Sequence, residues 1–148
     1  MKDYARRSID KLVSELFKRI LSESPRDNNK RDVYSYILLV KCSEKKIIRT
    51  RGREFQIDEG YYIYVGSCGR GCSRVVRHLY SKKRKMFWHI DYLLSECIAL
   101  EALITPGISE ENLAGILSRE KFLKPVKGFG SSDDPHNPSH LFKISIPR

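Results

Sequence analysis

No apolar run in the chain approaches the roughly 20 residues that a membrane-spanning helix needs, which excludes a helical membrane protein. The opening stretch Met1-Lys2-Asp3-Tyr4-Ala5-Arg6-Arg7 has neither an apolar core nor a small-residue cleavage site, so no secretory leader is expected. Asp3, Asp10 and Glu15 argue against a mitochondrial one. Cysteine is scarce. Cys42, Cys68, Cys72 and Cys97 are too widely spaced for a disulfide scaffold, and no second close pair completes a zinc site beside Cys68 and Cys72. Reduced thiols and a cytoplasmic location are therefore expected. Internal repeats are absent. Negative charge is also in short supply, with 18 acidic residues against 28 basic ones, a net charge of +10 and a pI near 9.6.

What is present is one domain's worth of chain. A sequence of 148 residues, 41% hydrophobic and 31% charged, is globular in composition. At this length a domain buries about 68–70% of its unfolded surface without staples. The excess positive charge favours an anionic partner and is concentrated. Residues 70–85 hold seven Lys and Arg and no acid. Tyr80 lies inside this block, and Phe87 and Trp88 follow it. A basic run with aromatic faces suits nucleic acid, whose bases can stack on the rings. Arg70, Arg77, Lys82, Lys83, Arg84 and Lys85 are the candidate contacts.

The apolar period changes along the chain. Ile9, Leu12, Val13, Leu16, Phe17, Ile20 and Leu21 form one helical stripe, and the polar, turn-rich stretch that follows cannot continue it past Pro25. The chain thus divides into an amphipathic helix over residues 1–24, a linker over 25–32 and a domain over 33–148. The stripe must be covered, by the domain or by a second copy, so a homodimer through this helix is one expectation. Strands are expected over 33–42, from 47 to 50 and over 61–66, then helices from Ser73 and over 88–97. A strand over 98–104, a helix capped by Ser109 and a last strand over 141–146 complete the order. The class is α+β, a small, mostly antiparallel sheet flanked by helices.

Within that frame Tyr36 and Tyr64 can converge if their strands are neighbours, and Gly66 would leave room for a substrate beside the backbone. Arg74 and His78, four residues apart, share a helical face. Two phenols, a guanidinium and an imidazole make a candidate phosphate site, the guanidinium gripping an oxygen and Tyr or His moving a proton. The loop residues Gly130, Ser131 and Ser132 are a candidate phosphate nest. Ser139, His140 and Asp133 have the residue types of a hydrolase triad, but no strained nucleophile turn accompanies them.

Tyr64-Val65-Gly66, with Arg74 and His78 beyond it, resembles the second half of the GIY-YIG nuclease signature, and Tyr34-Ser35-Tyr36 sits where the first half belongs. Tyr34 and Ser35 replace the usual Gly and Ile, while the tyrosine is kept as Tyr36. Further motifs are Arg77-His78-Leu79, Trp88-His89-Ile90-Asp91-Tyr92-Leu93, Gly128-Phe129-Gly130-Ser131-Ser132-Asp133 and Ser139-His140-Leu141. Together they resemble a GIY-YIG-like family of unknown function that also occurs fused to endonuclease III-type DNA glycosylases. The resemblance implies a DNA endonuclease, with repair as its setting, that uses one Mg²⁺ or Mn²⁺. Tyr64 or Tyr36 would activate water, with Arg74, Arg77 and the metal as the cations that would favour a phenolate. Arg74 would hold the phosphate and His78 would assist proton transfer. A carboxylate would hold the metal: Glu110 first, since it opens a helix, then Glu111, then Glu101. A DNA- or RNA-binding module that keeps the fold without turnover is the alternative.

Overall fold

An unbroken apolar run such as residues 36–40 needs cover on both sides of its sheet. The computed structural model describes residues 2–23, 34–68, 72–80, 86, 88–131 and 134–145. Helix α1 (Lys2–Glu23) precedes strands β1 (Tyr34–Cys42), β2 (Lys46–Thr50), β3 (Arg53–Ile57) and β4 (Gly60–Ser67). Then come α2 (Ser73–Tyr80), α3 (His89–Leu94), β5 (Ile98–Pro106), α4 (Glu110–Ser118), β6 (Leu123–Pro125) and β7 (Leu141–Ile144). Five strands form one antiparallel sheet in the order β5-β1-β4-β7-β6, and β2 pairs with β3 as a separate hairpin. The α+β class and the antiparallel sheet agree with the sequence pattern. Strand β3 escaped it because only Phe55 and Ile57 of its residues are buried, too short an alternation to stand out. No helix among the described residues is long and apolar enough to cross a membrane.

Alternation along β1 and β4 sorts the core into two halves. Tyr36, Leu38, Val40, Tyr62 and Tyr64 face one side, where Val75 of α2, Ile90 and Leu93 of α3 and Phe55 of the hairpin cover them. Ile37, Leu39, Ile63 and Val65 face the other, against Leu113 and Leu117 of α4 and against Ile9, Val13, Leu16 and Ile20 of α1. The leading helix is therefore a layer of this core. Most of its stripe, which the sequence left open to a second copy, packs within the chain, with Leu21 still exposed, and Arg19 binds both carboxylate oxygens of Glu120 beyond α4. The linker over 25–32 lies outside the described residues.

The cysteines correct the sequence reading. Cys42, at the end of β1, is disulfide-bonded to Cys97, just before β5, with Cα atoms 4.6 Å apart. Cys68 is bonded to Cys72 across the turn from β4 to α2, and no free cysteine remains among the described residues. Sequence spacing concealed the first pair because its partners are 55 residues apart and meet only through the β1–β5 pairing. The step from reduced thiols to a cytoplasmic location falls with it.

Candidate active site

In the β1–β4 register Tyr36 lies opposite Gly66 and Leu38 opposite Tyr64. Residues two apart on a strand share a face, so Tyr36 and Tyr64 are diagonal neighbours on one side of the sheet. Their ring centroids are 6.2 Å apart. A Cβ at Gly66 would overlap the Tyr36 hydroxyl. The room that the sequence reading reserved there for substrate is filled by the phenol itself. Lying over the glycine, the phenol carries its hydroxyl to α2, where Tyr36 Oη and His78 Nε2 form a buried hydrogen bond of 2.9 Å.

One turn before His78, Arg74 donates from Nη1 to the Ser67 carbonyl at 3.2 Å, and its guanidinium stacks 5.0 Å from the centre of the Trp88 ring. From across the strand ends comes α4, whose N-terminus is capped by Ser109 Oγ accepting from Asn112 N–H. Glu110, in its first turn, reaches His140, just ahead of β7: Glu110 Oε1 to His140 Nδ1 is 2.7 Å. The other ring nitrogen, Nε2, is 2.8 Å from Asp134 Oδ2, and Asn137 Nδ2 also donates to that oxygen. Gly130 passes between these groups in a left-handed conformation (φ +71°), where a Cβ would lie 3.4 Å from the Tyr64 ring.

Tyr36, Tyr64, Arg74, His78, Glu110 and Glu111 thus border one cavity of about 300 Å³, with Trp88, His89, Asp134 and His140 also on its wall. Other sequence candidates lie elsewhere. Glu101 pairs with Leu39, so it points to the α1 side of the sheet, away from Tyr36. Arg77 approaches the buried Asp91 at 3.8 Å instead of the cavity. Of the loop candidates Gly130 borders the cavity, whereas the Ser131 hydroxyl turns back to the Pro138 carbonyl. Arg70, Lys82, Lys83, Arg84, Lys85 and Ser132 fall outside the described residues. Sequence reasoning missed the Asp134–His140–Glu110 chain. The residue types suggest His140 with Asp133, but His140 bonds to Asp134, and its other partner, Glu110, lies 30 residues away.

Burial sets the protonation of the phenols. It pushes both Tyr36 and Tyr64 well above the ordinary tyrosine range, and the Glu110 carboxylate pushes the same way. Arg74 opposes this at both rings, Arg77 only at Tyr36, and neither prevails over burial. Burial would lower His140, yet its hydrogen bonds to Glu110 and Asp134 outweigh it and raise the imidazole above its ordinary value. Asp134 is held below the usual carboxylate range. Burial opposes this, but hydrogen bonds from Asn137, His140 and the His136 backbone prevail. His89 is lowered by burial and then by the Arg53 charge.

A metal at this wall would have few protein donors. Among the described residues no cluster of three or more His, Cys, Asp or Glu forms a cage. The cavity offers the Glu110 carboxylate, partly exposed and with only Oε1 on His140. A hard cation such as Mg²⁺ is held by one or two carboxylates together with water and phosphate oxygens, so Glu110, with Glu111 beside it, fits such an ion.

No curated protein matches the chain, and no solved structure does. Residues 35–147 match the family model described as domain of unknown function DUF123, and the chain therefore belongs to the DUF123 family.

Proposed function

We propose that the protein hydrolyses phosphodiester bonds of nucleic acid, DNA in the first instance, as a Mg²⁺- or Mn²⁺-dependent endonuclease of the GIY-YIG type. One observation carries this reading: four separate elements deliver a guanidinium, a Tyr–His hydrogen-bonded pair, a second phenol and a carboxylate to a single cavity at the strand ends. Phosphoryl transfer asks for little more than a held phosphate, an oriented water and an acceptor for its proton. Arg74 supplies the fixed charge for the phosphate oxygens. Tyr36, neutral and bonded to His78, takes a proton from water as it passes its own to the imidazole, so the phenol need never ionise. Tyr64, in the same layer, orients the water. A divalent cation on Glu110 would stabilise the charge gathering on the phosphate and leaving oxygens.

The test is cleavage of labelled duplex, flap, branched and abasic DNA with Mg²⁺ or Mn²⁺. Glu110→Gln should abolish metal-dependent cleavage while leaving DNA binding intact or tighter, because a negative charge is removed. Arg74→Ala should lower kcat by about a hundred-fold or more with a smaller effect on binding, since the charge acts mainly in the transition state. Wild-type protein that binds these substrates and cleaves none would overturn the hydrolase reading in favour of a binding module.

A further inference from the structure

We propose that Trp88 is the stacking platform for an unpaired nucleobase adjoining the phosphate in the cavity, so that the substrate class is nucleic acid unpaired at that step. The inference rests on the nucleic-acid reading above and narrows it. Trp88 is 47% exposed although it is among the largest apolar side chains in the chain, and it borders the cavity mouth. Its backbone is nonetheless fixed: the Trp88 N–H donates to Asp91 Oδ2 at 3.0 Å, and Asp91 is fully buried. An anchored backbone with an open ring is an arrangement for binding, because packing alone would draw the ring inward.

Arg74 supplies the rest of the geometry. Its guanidinium lies over one face of the indole, 5.0 Å from the ring centre, so the cation that would grip a phosphate is in contact with the ring whose exposed remainder would take a base. In a single strand a base stands one sugar away from its phosphate, so a cation and a ring in contact with each other suit the two together. In a duplex the bases are stacked inside and present no free face to a ring at this position. On the same helix as Arg74, Val76 and Tyr80 are 60% and 78% exposed and four residues apart, which places an apolar and an aromatic side chain on one face of a basic helix. Basic helix, open aromatic rings and a net charge of +10 complement a polyanion with accessible bases.

Trp88 is the only tryptophan, so its emission reports base stacking directly. The experiment titrates the intact protein, in EDTA to prevent turnover, with a labelled oligothymidylate, a blunt duplex and an oligomer of abasic sugars. Tryptophan emission and label anisotropy are followed together. The expected result is quenching by the single strand in step with anisotropy, and little quenching by the duplex or the abasic oligomer. Trp88→Ala should weaken single-strand binding about ten-fold and duplex binding much less, with Trp88→Phe restoring most of the affinity. Single-strand binding without an emission change, or equal quenching by the abasic oligomer, overturns the proposal. Base-dependent quenching without cleavage in Mg²⁺ or Mn²⁺ overturns the hydrolase reading alone, and no binding at all overturns both.

Discussion

His140 stands between two carboxylates, Asp134 on one ring nitrogen and Glu110 on the other, and is almost wholly buried. Its raised pKa makes it a source of pH-dependent stability. The contribution is complete below the ordinary imidazole value of 6.5 and is lost as pH rises through the higher folded value. For Asp134 the sign reverses: its contribution is present above the ordinary 3.8 and is lost as pH falls through the depressed folded value. An NMR titration of the His140 ring should give a midpoint above 6.5 that drops in Asp134→Asn; an unchanged midpoint would show that the carboxylate does not hold the proton. Gly66 makes a second residue-scale test. Gly66→Ala forces a Cβ into the Tyr36 hydroxyl and should cost about 1–3 kcal/mol in urea unfolding, with loss of any cleavage activity. The sequence marked Gly66, Tyr36 and His78 as site residues. That the glycine serves the tyrosine and not the substrate was hidden, because it depends on which residue of β4 faces Tyr36.

At the scale of elements, α1 and the long disulfide are the tests. Ile9, Val13, Leu16 and Ile20 are each 2% exposed or less. At about 1.5–3 kcal/mol per buried aliphatic side chain they contribute up to ~6–12 kcal/mol, which rivals the ~5–15 kcal/mol net stability of a whole domain. Deleting residues 1–23 should therefore unfold or aggregate the remainder, measured by circular dichroism and light scattering. A truncated protein that stays folded and monomeric would show that the sheet can cover Ile37 and Ile63 by other means. The periodicity announced this helix plainly. Its docking place was illegible, since an apolar stripe fits any apolar face. The disulfide between Cys42 and Cys97 closes a loop of 55 residues. Cys42→Ala with Cys97→Ala should lower unfolding stability by roughly 2–4 kcal/mol, read as a shift of the urea midpoint against reduced and oxidised wild type.

Over the whole molecule the net charge of +10 sets the expected behaviour toward polyanions. Binding to duplex DNA should weaken steeply with salt. Replacing Lys82, Lys83, Arg84 and Lys85 together with Gln should flatten the logarithmic slope by about 0.9 for each phosphate that is no longer neutralised. An unchanged slope would mean that this run is only a solvated face, and that Arg74 and its neighbours meet the phosphates.

The sequence by itself determined the α+β class, the leading amphipathic helix, most of the strands and the Tyr, Arg and His of the candidate site. Each of these rests on local information: the period of apolar residues, a Ser109 cap, a four-residue spacing along α2. Tertiary structure decided the rest. Pairing of β1 with β4 put Tyr36 over Gly66, and pairing of β1 with β5 brought Cys42 to Cys97. Glu101, paired with Leu39, faces the α1 side of the sheet, whereas Glu110 reaches His140 beside the cavity. His140 found Asp134 and Glu110 only because the approach to β7 passes the N-terminus of α4. The upward shift of both phenols was hidden for the same reason, since burial is a property of the assembled core and no local pattern reports it.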